Sequence, residues 1–72
     1  MDGRTRYNKI TELLKPIVGQ TLELHKLKNR VRIEIGTSEV VVEECLRLMM
    51  DLGLINEVSN LKFKVIRSEA EI

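Results

Sequence analysis

The chain has 72 residues, of which 43% are hydrophobic and 32% charged, and twelve basic against eleven acidic residues leave a net charge of +1. A chain of this length suits one small domain, which buries only roughly 60% of the surface of its unfolded state. A single cysteine excludes an internal disulfide, and no apolar run approaches the roughly 20 residues of a membrane-spanning helix. The amino terminus is polar where a signal peptide would be apolar. We therefore expect a cytoplasmic protein with no membrane association and a small aliphatic core.

A first helix is predicted from about Thr5 to Leu14 or Lys15, because apolar residues recur there at helical spacing. Pro16 ends the regular helix, since its ring clashes with the preceding turn and its nitrogen carries no hydrogen. Gly19 marks the exit into the next segment.

The segment 20–35 supports two interpretations with different periods. Leu24, Leu27 and Val31 fit a helix, whereas the alternation from Arg30 to Ile35 fits a strand that follows a turn at residues 28–29. The helical interpretation leaves residues 21–22 as a short first strand and residues 36–37 as a turn between packed helices. We favour a helix from about Glu23 to Ile33 or Ile35, and keep a β-hairpin as the alternative.

The segment from Thr37 to Gly53 predicts an amphipathic helix with defined ends. Ser38, or Thr37 beside it, is a good N-cap because its hydroxyl can accept a hydrogen bond from a free amide of the first turn. Gly53 follows the last periodic residue, where a left-handed conformation ends a helix. Glu39 favours the positive end of the helix dipole. The exposed face carries Glu39, Glu43, Glu44, Arg47 and Asp51.

Two short segments rich in branched residues, Leu54 to Val58 and Leu61 to Ile66, predict a β-hairpin with its turn at Ser59 and Asn60. In the second strand Phe63 and its apolar neighbours alternate with Lys62 and Lys64. One face of the hairpin is therefore expected to be buried and the other basic.

The resulting order is helix, short strand, helix, turn, helix, strand, turn, strand. It resembles the winged helix-turn-helix family of small archaeal and bacterial DNA-binding proteins, most specifically in TSEVVVEECLRLMMDLGLI and in the returning strand FKV. The resemblance covers nearly the whole chain. It implies an α+β winged-helix domain over residues 1–72, with flexible ends at 1–4 and 68–72; the alternative order is helix, β-hairpin, helix, β-hairpin.

The resemblance further implies binding of double-stranded DNA, with the third helix in the major groove and the wing against the backbone. A small transcription regulator acting as a homodimer is the function we expect. The expected DNA contacts are Thr37, Ser38 and Arg47 on the third helix and Asn60, Lys62 and Lys64 on the wing. A second basic patch would come from Lys26, Lys28, Arg30 and Arg32. The acidic face of the third helix departs from the family, whose reading helices are usually basic or amidic.

Two other functions fit the sequence. A winged helix can be a protein-interaction module, here with the acidic third helix facing a basic partner. If residues 30–35 form a strand, the segment is similar to the opening of a ribbon-helix-helix dimer, in which Arg30, Arg32 and Glu34 would read the groove. Catalysis, a cofactor and a metal site are not expected, because His25 and Cys45 are isolated and the glycines form no phosphate-binding loop.

Overall fold

The computed structural model describes residues 3–70, and within them the chain forms a small α+β fold. The elements are α1 (Gly3–Leu14), a 3₁₀ turn (Lys15–Ile17), β1 (Thr21–Glu23), α2 (Leu24–Glu34), α3 (Glu39–Asp51), β2 (Ile55–Ser59) and β3 (Lys62–Val65). The strands form one antiparallel sheet in the order β1-β3-β2. This arrangement is winged-helix-like and confirms the predicted fold class.

The helical interpretation of residues 20–35 is confirmed for Leu24–Glu34, and the hairpin alternative is wrong. Leu27 and Val31 lie one turn apart and are both fully buried, whereas Ile33 is 80% exposed. A strand would have placed Val31 and Ile33 on the same face. The reading strand of a ribbon-helix-helix protein is therefore absent from this segment.

The predicted boundaries of α3 are correct, but the expected capping bond is not. The helix begins after Ser38, whose hydroxyl makes no capping hydrogen bond; its carbonyl accepts from the Val42 amide at 2.9 Å. At the other end Gly53 adopts a left-handed φ of +72°, as the sequence predicted for a residue without a Cβ. The amide of Leu54 then donates to the carbonyl of Met49 at 2.9 Å and closes the last turn.

The hairpin turn lies one residue later than predicted. Ser59 still belongs to β2 and pairs with Lys62, so that Asn60 and Leu61 form the turn. Leu61 has a φ of +58°, and its amide donates to the Glu57 carboxylate at 3.3 Å. A positive φ at the second turn residue is normally occupied by glycine or asparagine, which is why a leucine there gave no turn signal.

The core lies between the three helices and the inner face of the sheet. Its buried side chains are Ile10, Leu13, Leu14, Ile17, Leu27, Val31, Val42, Cys45, Leu46, Met49, Leu54, Ile55, Phe63 and Val65. Phe63 and Val65 tie β3 to the helices, while Lys62 and Lys64 between them face outwards. Within residues 3–70, no helix is long and apolar enough to cross a membrane.

The predicted flexible ends fall only partly within the described residues. Positions 1–2 and 71–72 lie outside them. Gly3 opens α1, and the amide of Ala70 donates to the hydroxyl of Tyr7 at 3.0 Å, so residues 68–70 return to the first helix.

Candidate nucleic-acid interface

The carboxylates of α3 are held by cations of the two preceding helices. Arg6 in α1 contacts Glu44 at 2.5 Å, and two α2 cations pair with the others: Lys28 with Glu43 at 3.2 Å and Arg32 with Glu39 at 2.5 Å. The hydrogen bond and charge of Arg32 lower the pKa of the Glu39 carboxyl below its ordinary value. Three of the four acidic side chains of α3 are thus neutralised within the fold.

Two of the predicted DNA contacts, Lys28 and Arg32, are therefore already engaged in ion pairs within the fold. Each is only about a quarter to a third exposed, and each already has a carboxylate partner. Arg32 also donates to the Asn29 side chain at 2.7 Å. Binding a phosphate through either residue would require an existing ion pair to open.

The other two members of the second basic patch, Lys26 and Arg30, lie on the opposite side of α2. Residues four positions apart share one face of a helix, so Lys26 and Arg30 point together into solvent while Lys28 and Arg32 point together towards α3. Both outward residues are exposed, and neither pairs with any acid in the described part of the chain. The second basic patch therefore consists of two pairs: Lys26 and Arg30 face solvent, and Lys28 and Arg32 face α3. The i, i+4 spacing predicts this division once the segment is known to be helical.

The outer face of the sheet is basic, as predicted. Lys64 lies opposite Thr21 of β1 and Asn56 of β2, while Lys62 lies opposite Glu23 and Ser59. The ammonium groups of Lys62 and Lys64 have no ion-pair partner among residues 3–70. Asn60 is exposed at the turn beside them.

Lys26 and Lys62 line the same concave surface. A depression of about 440 Å³ is lined by Gln20, Thr21, Leu22, Glu23, Lys26 and Lys62. It joins the outer face of α2 to the outer face of the sheet. We call Lys26, Arg30, Lys62 and Lys64 the outer basic patch. Glu23 is its acidic neighbour, and the Nδ1 atom of His25 lies 3.3 Å from the Glu23 carboxylate.

A second, more apolar groove separates the hairpin turn from α3. Its end near the turn is a cleft of about 340 Å³ that includes Leu24, Lys28, Leu61 and Lys62. Leu24 and Lys28 also line the next cleft, which continues to Arg47 and Met50 of α3.

The remaining predicted contacts are exposed at the start and middle of α3. Thr37 and Ser38 are exposed in the turn before the helix. Arg47 is exposed and pairs with no carboxylate that the structure describes. It is the one cation on the exposed face of α3, and Val40 and Met50 beside it are 65% and 49% exposed.

The single cysteine lies in the hydrophobic core. Cys45 is fully buried, and burial raises the pKa of its thiol, which keeps it in the unreactive protonated form. Within residues 3–70, no group of histidine, cysteine and acidic side chains is placed to hold a metal ion.

No protein-family model matches the chain, and comparisons with curated proteins and with solved structures gave no match. The functional assignment is therefore argued from the distribution of charge on this fold.

Proposed function

We propose that this chain is a small double-stranded DNA-binding protein that acts in transcription regulation, as a homodimer because one domain of this size offers little contact area. The observation that carries the proposal is the outer face of β3. Lys62 and Lys64 stand there unpaired among the described residues, on a hairpin that follows a helix-turn-helix.

Unpaired lysines are the groups that give a protein affinity for a polyanion. Each cation that replaces a condensed counterion on DNA adds to the binding constant, and the gain weakens as salt rises. A lysine already held by a carboxylate must first break that pair. Uncompensated carboxylates on the face of α3 would oppose DNA binding, but Glu39, Glu43 and Glu44 are each compensated by a cation of the same chain.

The test is the double variant Lys62→Ala with Lys64→Ala, measured by fluorescence anisotropy on a duplex of about 20 base pairs, or two helical turns. Loss of two phosphate contacts is expected to make the slope of log K against log salt shallower by about 1.8. The charge-matched control is Lys9→Ala with Lys15→Ala, two exposed cations before the sheet. We expect the control to bind as the wild type does.

Equal affinity and slope in the Lys62, Lys64 variant and in the wild type would contradict the role given to the wing. Absence of duplex binding by the wild type at about 50 mM salt would refute the proposal as a whole. The homodimer is checked on the same samples by sedimentation equilibrium, and a monomer at all concentrations used would contradict it.

A second function, protein interaction through α3, is favoured by the exposure of Val40 and Met50. These apolar side chains flank Arg47 on the outer face of the helix, and large exposed hydrophobic residues near one another are typical of interaction sites. The paired carboxylates leave little net negative charge for a basic partner. The partner would instead meet this face with apolar groups and a carboxylate for Arg47.

The two functions are separated by variants on different elements. Val40→Ser with Met50→Ser would abolish a protein complex isolated from the native host and leave duplex affinity unchanged. The Lys62, Lys64 variant would do the reverse. A protein complex that survives the α3 substitutions would rule out this surface.

A further inference from the structure

We infer that the DNA duplex lies across the outer basic patch, on the outer faces of β3 and α2, and that α3 does not enter the major groove. The inference rests on the proposed DNA binding and specifies its geometry. It keeps the wing contacts Lys62 and Lys64 that the family resemblance implies, but it replaces the third helix by the outer face of α2.

The first argument is the location of unpaired positive charge. Among the cations of residues 5–70 other than Arg67, those without a partner that the structure describes are Lys9, Lys26, Arg30, Arg47, Lys62 and Lys64. Four of these six form the outer basic patch, whereas α3 contributes only Arg47. Because affinity for duplex DNA depends mainly on cations that replace counterions, the outer patch is the strongest phosphate-binding surface that the structure describes.

The second argument is that the patch is contiguous. Lys62 and Lys64 are two residues apart on one strand, which separates their Cβ atoms by about 7 Å on the same face. Lys26 and Arg30 are one helical turn apart, with Cβ atoms about 6 Å apart. The depression lined by both Lys26 and Lys62 joins the two pairs. Gln20 and Thr21 on the same surface add side-chain donors that can bind phosphate oxygens.

The third argument concerns α3. Its exposed face combines Arg47 with the unpaired carboxylate of Asp51 and with three ion pairs that carry no net charge. Inserting this face into the groove would bring one unpaired cation, Arg47, and one unpaired carboxylate, Asp51, close to phosphates, so the face would add no net positive charge. Val40 and Met50 would also have to contact DNA, and the thymine methyl is the main group in the major groove with which an apolar side chain can pack favourably.

Glu23 is the group that opposes the patch. Glu23 lines the depression together with Lys26 and Lys62, and the Nδ1 atom of His25 lies 3.3 Å from its carboxylate. Glu23→Gln is therefore expected to strengthen duplex binding.

The experiment compares two double variants. The α2 variant carries Lys26→Gln and Arg30→Gln, and the α3 variant carries Ser38→Ala and Arg47→Gln. Both pairs are exposed, and glutamine keeps helix propensity, so far-UV circular dichroism should be unchanged. We expect the α2 variant to reduce the salt slope by about 1.8, the same as the Lys62, Lys64 variant, and the α3 variant to leave it unchanged.

Sequence preference gives an independent measurement. A duplex held through phosphates should bind with affinities that differ by less than about fivefold between an A·T-rich and a G·C-rich sequence, since one direct base contact gives about that discrimination or more. An unaffected α2 variant together with a weakened α3 variant would overturn the inference while leaving DNA binding intact. Tighter binding of an RNA duplex, or of vesicles containing phosphatidylserine, would also overturn it. A wild type that binds no DNA would instead refute the proposed function.

Discussion

Glu43 and Glu44 are adjacent on α3 and allow a direct test of which ion pair matters for the proposed DNA binding. Glu43 holds Lys28 of α2, whereas Glu44 holds Arg6 of α1. Substituting either glutamate by glutamine removes one negative charge and changes the net charge from +1 to +2. The two variants differ only in the cation that they release. Glutamine preserves both size and helix propensity.

The released cations are placed differently with respect to the outer basic patch. Lys28 lines the cleft that also includes Lys62, so its ammonium group can join the phosphate-binding surface. Arg6 lies on α1 and lines neither of the two described depressions that include Lys62. We therefore expect Glu43→Gln to steepen the salt slope by about 0.9 and Glu44→Gln to change it by less than half of that.

The magnitude is large enough for a routine titration. A slope change of 0.9 means that raising the salt from about 50 to 200 mM weakens duplex binding by the Glu43→Gln protein about 3.5-fold more than it weakens binding by the wild type. At the lower salt concentration the variant is expected to bind the duplex more tightly than the wild type. Fluorescence anisotropy with one labelled duplex measures both variants under the same conditions. Exposed ion pairs contribute little to stability, so both variants should remain folded.

Two outcomes would refute this reasoning. Equal strengthening in both variants would mean that net charge alone controls affinity. Weakened binding in the Glu43→Gln protein would mean that this carboxylate itself contacts DNA, as a cytosine-reading residue in the major groove would.

Three further predictions concern stability. Gly53→Ala should lower the free energy of unfolding by about 1 kcal/mol, measured in urea, because the backbone φ at Gly53 is +72°. The control is Gly36→Ala, where φ is not in the left-handed region. Equal losses of unfolding free energy in the two variants would contradict the argument. Phe63→Leu should lower the free energy of unfolding by about 1 kcal/mol and Phe63→Ala by about 3 to 5 kcal/mol, since Phe63 is only 8% exposed between the helices and the sheet. An unchanged unfolding free energy in Phe63→Ala would disprove its place in the core. The third is a pH effect at Glu39. Because Arg32 lowers the pKa of the Glu39 carboxyl, the stability from this pair is present above the unfolded pKa near 4.5 and is lost as the pH falls through the folded value. The melting temperature of the wild type should therefore approach that of Glu39→Gln below about pH 4.5, and a constant difference down to pH 2 would exclude the pair as its source.

The sequence predicted the elements whose signals are local. Gly53 ends α3 because its conformation is set by one residue, and Pro16 ends α1 for a similar reason. Segment 20–35 was ambiguous because β1 has only three residues, and its partner β3 lies about forty positions further along the chain. In the structure β1 pairs with β3, and the following residues, Leu24–Glu34, form α2 and bury Leu27 and Val31.

The candidate site was predicted less completely, for a physical reason. Alternation alone placed Lys62 and Lys64 on the outer face of β3, and the structure confirms that position. The partners of the α3 carboxylates could not be found in the same way. Arg6 and Glu44 are 38 positions apart, and neither has a local pattern that requires the other.

These ion pairs also show why the net charge does not describe the charged surface of this fold. The charge available to a ligand is that of groups without partners, and pairing removes Arg6, Lys28 and Arg32 together with the three carboxylates that face them. Each side loses three charges, so the net value is unchanged while the surface potential is redistributed. The acidic helix becomes nearly neutral, and the unpaired cations concentrate on the sheet and the outer side of α2. On the proposed function, a DNA duplex is therefore expected to meet the outer basic patch, because the face of α3 offers one unpaired cation, Arg47, and beside it the unpaired carboxylate of Asp51.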